Sequence, residues 1–319
     1  MINNKLQIWC TYHNDQLIDE YNLNYVPSYI KLFNSNDLLL PNDNINYLNP
    51  YLCELVTFYY VWKNQIKSDY VGFCHYRRFF KKIDINELHK NKVHYLGYVL
   101  NNINQMAINN ELGFNKYYCN LLYTYLKSLN IFDENILYEY FYTKKEIRIP
   151  YCISYIIEWN LFNKFCEITF GFLENILHNY KDINIYKNVG RKYAWIFEII
   201  CGIILSLLTN NKKPPYTNWE INYQKAILLK SYNIDIEKIR LFIHKNNRTE
   251  ADIYILCDNK DDLSKYLYKS EYEVNSYIIN NISEIPDYKI VIELNINQYI
   301  KCKDPEDFNL NKYTIENIK

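Results

Sequence analysis

An excess of charge of either sign is missing from this chain of 319 residues: Lys and Arg number 36, Asp and Glu number 36, and the formal net charge is zero. A general nucleic-acid binder would carry a basic surplus, so nucleic acid is not an expected partner. Glycine is scarce, at six residues against 35 tyrosines. Asn, Ile, Lys and Tyr crowd the sequence and all have A/T-rich codons, so the abundance of Tyr carries no weight as evidence for sugar stacking. No internal repeat is visible, and no tract is polar enough to stay unfolded. The opening "MINNKLQIWC" has no apolar run of signal-peptide length. There is no CxxC pair and no His/Cys cluster of the kind that holds zinc. Nine Cys without regular spacing read as reduced intracellular thiols, and the expected compartment is the cytoplasm. The longest apolar stretch, "YAWIFEIICGIILSLL" at residues 193–208, is shorter than the roughly 20 residues that span a bilayer and contains Glu198. It reads as a buried core helix, and membrane association is expected to be peripheral at most.

What is present suffices for a large core, since 49% of residues are hydrophobic and 17% aromatic. "KLQIWCTYHND" opens as a short strand over residues 5–10 that runs into a polar loop, Thr11 to Asp15. Nucleotide-binding α/β sheets begin this way, because ligands sit beyond the carboxyl ends of their strands. Asn49 suits an N-cap and Pro50 a first helical position, which predicts one helix from Pro50 to about Asn64. Leu52, Leu55, Val56 and Tyr59 mark its buried face. Glu54 lies on another face with Tyr51, Phe58 and Val61, either paired with a cation or held for a ligand.

A strand over Tyr70 to Cys74 then delivers His75, Tyr76, Arg77, Arg78, Phe79 and Phe80. Two guanidiniums and an imidazole between apolar walls are costly to desolvate without anionic partners. Those partners are either buried carboxylates such as Glu54 or a bound anion. In an extended chain His75 and Arg77 point to one side, Tyr76 and Arg78 to the other.

Farther on, "INELHKN" reads as helical, "VHYLGYVL" as a strand, Cys119 to Tyr142 as one or two helices, and "IPYCISYII" as a buried strand. Leu161, Phe165, Ile168, Phe172 and Ile176 share one helical face. Strands alternating with helices predict an α/β fold with a mostly parallel sheet flanked by helices. "NNKKPPYTN" at residues 210–218 reads as a boundary. The expected division is an α/β domain over 1–211 and a smaller β-rich accessory region over 212–319. Within the latter, "CDNKDDL" either offers Asp258, Asp261 and Asp262 to a divalent cation or is a polar turn after a strand.

Taken in order, "DNI" (Asp43, Asn44, Ile45), Asn49-Pro50, "CEL" (Cys53, Glu54, Leu55), "WKN" (Trp62, Lys63, Asn64) and "CHYRR" (Cys74 to Arg78) resemble a known family. It is the former domain of unknown function found in bacterial capsular-polysaccharide glycosyltransferases. The match is specific over residues 1–80 and looser to about Asn211. The resemblance implies a glycosyltransferase-A-like fold and sugar transfer from a nucleotide-sugar, uridine-diphosphate-linked and in some relatives galactofuranose, to a glycan or lipid-linked acceptor. The first-strand loop, the Asp43-Asn44 segment and the cationic strand end make Thr11, Asp43, Asn44, Arg77 and Arg78 the expected donor-binding residues, with Glu54 and His75 as catalytic candidates. No metal ligand is assigned; the cationic strand end can do a metal's work on the diphosphate, with Mn or Mg left as an open alternative. The chain departs from the family pattern at Cys201 and Gly202, where relatives carry Glu-Arg, and at Ile153, where they carry asparagine. These departures leave a second reading, a catalytically degenerate module that binds a nucleotide-sugar, glycan or protein.

Overall fold

The computed structural model describes residues 5–21, 23–76, 80, 83–96, 98–143, 145–150 and 153–210. It also describes 225–230, 239, 242, 252–256, 276–279, 283, 290–294, 298–302 and 313–317. The chain divides into two compact units, Met1–Glu220 and Ile221–Lys319.

The first unit is built on a five-stranded sheet of order β2-β1-β3-β7-β4. Its strands are β1 (Leu6–Tyr12), β2 (Ile30–Asn34), β3 (Tyr70–His75), β4 (His94–Tyr95) and β7 (Tyr155–Glu158). β1 pairs in parallel with β2 and β3, whereas β7 is antiparallel to both β3 and β4. Four of the five strands therefore run one way and β7 opposes them. The sheet is mixed and largely parallel. Side chains alternate across it as the pleat requires. Leu6, Ile8, Cys10 and Cys74 belong to a small core on one face, and Val71 and Phe73 to the main core on the other.

Helices α1 (Gln16–Glu20), α2 (Asn49–Leu52), α3 (Leu55–Lys63) and α7 (Trp159–Leu177) follow the strands in sequence. In the main core the Phe58 ring of α3 meets Phe73 at 4.2 Å and Phe165 of α7 at 6.1 Å. A second, two-stranded sheet pairs β5 (Tyr98–Asn102) with β6 (Glu146–Pro150), antiparallel. Between these strands lie α4 (Ile103–Asn109), α5 (Lys116–Ser128) and α6 (Glu134–Tyr142), so the stretch over 119–142 forms parts of two helices. Of "INELHKN", only Ile85–Glu87 is helical, as one 3₁₀ turn, because Asp84 caps Asn86 N–H and the chain then extends at Leu88.

The apolar stretch over 193–208 forms α8 (Lys192–Leu208), with Ile196, Phe197 and Ile199 to Leu205 buried. Gly202 lets this helix approach β6: a Cβ there would stand 2.9 Å from Ile149 Cα and 3.0 Å from Arg148 O. Among the described residues no helix is long and apolar enough to cross a membrane.

The second unit holds β8 (Lys225–Lys230), β9 (Asp252–Leu256), β10 (Ser276–Ile279) and β11 (Ile290–Leu294) in one sheet of order β10-β9-β8-β11. Every neighbouring pair in it is parallel. Parallel neighbours need crossover links and cannot form a hairpin meander. β12 (Gln298–Cys302) and β13 (Tyr313–Asn317) make a separate antiparallel pair.

Candidate functional site

Parallel pairing of β1 and β3 sets Thr11 beside His75 at the carboxyl edge of the sheet. β1 is longer than its apolar run, because β3 pairs with it through Thr11 and β2 through Tyr12. Thr11 is buried, and its hydroxyl meets that of Thr57 on α3 at 2.8 Å. β3 ends at His75, and Tyr76 begins a turn whose N–H donates to Thr11 O at 3.2 Å. The His75 and Tyr76 rings lie 4.0 Å apart, and Tyr76 also meets Tyr21 at 5.1 Å and His13 at 5.5 Å. Both His75 and Tyr76 are thus held by aromatic packing at the strand end.

The carboxylate arrives from a break in the expected helix. Pro50 to Asn64 is not one helix but two, α2 and α3, because Cys53 adopts φ 47° and ψ −128°. A side chain rarely takes that conformation, and its persistence requires support from the surrounding packing. The bend sets Glu54 at the N-cap of α3, yet its side chain makes no capping hydrogen bond. Glu54 Oε1 instead stands 3.8 Å from His75 Nε2, with both side chains largely buried. That is ion-pair reach but too long for a hydrogen bond. The positive end of α3 further favours a charged carboxylate here.

Asparagines order the neighbouring edge. Asn46 Nδ2 donates to Asn34 O and Asp37 O, Asn36 Nδ2 to His13 O, and Asn49 Nδ2 to Asn36 Oδ1. Ser35 N–H and Oγ both donate to Tyr12 O. The carboxyl ends of β1 and β2 are thereby tied to the loop that leads into α2.

Of the residues expected at the site, Thr11, Glu54 and His75 converge. Asp43 and Asn44 lie elsewhere. Tyr59 OH donates to both Asp43 oxygens at 3.2 Å, Lys181 Nζ stands 3.9 Å away, and Asn64 bonds the Asp43 backbone N–H and carbonyl. Burial, then the Asp43 carboxylate, pushes the Tyr59 phenol well above its usual range. Tyr59 is at the middle of α3 and Asn64 is its C-cap, so the Asp43 backbone is tied to the end of the helix opposite Glu54 while its carboxylate reaches back to the middle. Asn44 donates to Leu40 O and accepts from Asn46 N–H, shaping its own loop. Arg77, Arg78 and the segment "CDNKDDL" lie outside the described residues. Among the described residues no group of three or more His, Cys, Asp and Glu is placed to hold a metal. Sequence reasoning passed over Thr57, whose signal was a lone hydroxyl on an apolar helix, and Tyr76, which reads as a bystander within its motif.

The departures from the family pattern are packing positions. Cys201 is fully buried, and burial pushes its thiol well up. Gly202 is pressed on β6. Ile153 is buried with φ 49°, a left-handed conformation costly for a β-branched residue and easier for asparagine. The carboxylate that α8 does carry, Glu198, sits one turn before Gly202 and is half-buried.

Residues 32–211 match the family model described as a domain of unknown function, DUF4422. No curated protein matches the chain. Among solved structures, the apo form of the bifunctional glycosyltransferase WbbM aligns with 96% of this chain and 69% of its own, at 13% identity and a TM-score of 0.45. The apo form of the glycosyltransferase GlyE of Streptococcus pneumoniae TIGR4 aligns with 88% of this chain and 81% of its own, at 13% identity and a TM-score of 0.17. Likenesses this low carry no argument about activity.

Proposed function

We propose that this chain, which belongs to the DUF4422 family, is a glycosyltransferase that moves a sugar from a uridine-diphosphate-linked donor to a hydroxyl of a glycan or lipid-linked acceptor. The reading sets the reaction in the cytoplasm, in the assembly of surface polysaccharide, on a glycosyltransferase-A-like domain. The observation that carries it is the Glu54–His75 pair, 3.8 Å apart at the carboxyl end of β3 and beside Thr11. Ligands of open α/β sheets bind at such strand ends.

In a displacement that inverts the anomeric centre, the acceptor oxygen forms a bond to the anomeric carbon while the bond from that carbon to the diphosphate oxygen breaks. The electron pair leaves with the diphosphate, and the acceptor's proton needs a base. Glu54, whose side chain makes no capping hydrogen bond, takes that proton. His75 with Arg77 and Arg78 stabilises the charge growing on the departing diphosphate, as guanidiniums suit phosphate oxygens.

Hydrolysis of uridine-diphosphate sugars by the purified protein, with water in place of the acceptor, tests this. Glu54→Gln is expected to lower kcat by about 10²–10⁴-fold while donor affinity is kept. Chelation of divalent metals is expected to leave much of the wild-type rate. Unchanged kcat with lowered thermal stability would make Glu54–His75 a structural bridge. Complete loss in chelator would move the charge stabilisation to a metal and direct attention to Asp258, Asp261 and Asp262.

The second reading, a binding module without turnover, is favoured by Cys201, which is fully buried, and by Gly202, where even a Cβ would meet the β6 backbone, in place of the relatives' charged pair. Donor binding without hydrolysis, across varied glycan acceptors, would select it.

A further inference from the structure

We infer that the start of α8, together with the turn between α4 and α5, is a docking surface for anionic lipid headgroups. Leu112 is 49% exposed, Tyr117 65% and Trp195 45%. Exposed apolar residues scattered singly need no explanation, but these are neighbours. A Cβ on Gly113, next to Leu112, would stand 3.6 Å from Ile196 Cγ1 and 3.8 Å from Lys192 Cγ. Trp195 lies three residues from Lys192, on the same side of the helix. The Tyr117 ring meets Tyr118 at 5.3 Å, and Lys192 Nζ lies 5.5 Å over the Tyr118 ring. Ile108, at the end of α4, is exposed as well.

The same segments carry Lys116 and Arg191 exposed and Lys192 half-buried. Two carboxylates lie nearby in sequence, both half-buried: Glu111, which accepts from Asn101 Nδ2 at 2.8 Å and from Asn109 Nδ2 at 3.5 Å, and Glu198, so that three cations stand against two acids. In a chain of zero net charge this patch is locally basic.

The occupant follows from the mixture. Trp and Tyr prefer the boundary between headgroups and acyl chains, aliphatic side chains insert below it, and Lys and Arg reach phosphate. A glycan would use the rings but has no use for Leu112 and Ile108. A second copy of the chain would bring the cations against themselves. The partner is an anionic bilayer surface, met from the side and not spanned.

Sedimentation of the full chain with vesicles tests the inference, using phosphatidylcholine alone and phosphatidylcholine with phosphatidylglycerol. Binding is expected on the anionic vesicles, about tenfold or more weaker on the neutral ones, and falling as salt is raised. Trp195→Ala, and separately Lys116→Glu with Lys192→Glu, should each weaken it about tenfold. Leu39→Ser, which removes an exposed leucine outside the patch, should not. Circular dichroism and light scattering show whether each variant is folded and in what oligomeric state. Equal binding to both vesicle types, or folded patch variants that bind like the wild type, would overturn the inference. So would a Trp195→Ala variant that changes only oligomeric state, which would make the patch a contact between copies. Glycan binding lost in Trp195→Ala, with vesicle binding intact, would overturn it in favour of a sugar platform.

Discussion

Gly202 sets two effects of one substitution against each other. In a helix interior, alanine is favoured over glycine by about 1 kcal/mol. Here the added methyl would meet the backbone of β6, at 2.9 Å from Ile149 Cα and 3.0 Å from Arg148 O. Backbone on a paired strand yields less readily than a side-chain tip, and overpacking of this kind costs about 1–3 kcal/mol. Gly202→Ala is therefore expected to lower unfolding stability in a urea titration, and a gain of about 1 kcal/mol would show that β6 gives way. The double change Cys201→Glu with Gly202→Arg, which would recreate the relatives' pair, is expected to misfold. The sequence shows an absent Glu-Arg pair but not that these positions are filled by packing. Likewise the left-handed φ of Ile153 has no sequence signal, because isoleucine is among the least expected residues there.

At the scale of elements, β4 places His94 in the interior, where His89 N–H donates to its Nε2 at 3.0 Å. Burial pushes its pKa down to about 4. The folded state then declines a proton that the unfolded chain accepts below about pH 6.5. His94 consequently costs nothing above that value and removes about 1.4 kcal/mol per pH unit as pH falls toward 4. Between pH 7 and pH 5 the loss is about 2 kcal/mol. Urea titrations at the two pH values should show it in the wild type and a shallower dependence in His94→Gln; equal slopes would mean that His94 titrates normally when folded.

Element existence was largely legible. Short apolar runs gave β1 and β3, the helical repeat gave α7, and the long apolar stretch gave α8. The bend at Cys53 was not, since neither Gly nor Pro marks it and the apolar repeat runs straight through. Yet that bend is what sets Glu54 before His75. The parallel pairing of β8 to β11 was equally hidden, because short β-branched runs look the same in a meander and in a parallel sheet.

For the molecule as a whole, the motifs read in order from Asp43 to Arg78 fall within the span of the family match, residues 32–211. Their roles divide once distances are known. Cys53, Glu54 and His75 stand at one end of α3, the end at which we propose that donor and base meet. Asp43 and Asn64 are tied together at its other end, and Asn44 bonds within its own loop. Sequence order cannot separate these two jobs, because both sets flank the same helix. The central claim is that the carboxyl ends of β1 and β3 form a donor site whose cations bind diphosphate. Titration calorimetry of the full chain with a uridine-diphosphate sugar, comparing wild type with Arg77→Ala, tests it most directly. A charged hydrogen bond to phosphate is worth about 1.5–3 kcal/mol, so the variant should bind roughly one to two orders of magnitude more weakly while unfolding at an unchanged urea midpoint. No binding of any nucleotide diphosphate by the wild type, or an Arg77→Ala variant that unfolds early yet binds the donor with undiminished affinity, would contradict the account.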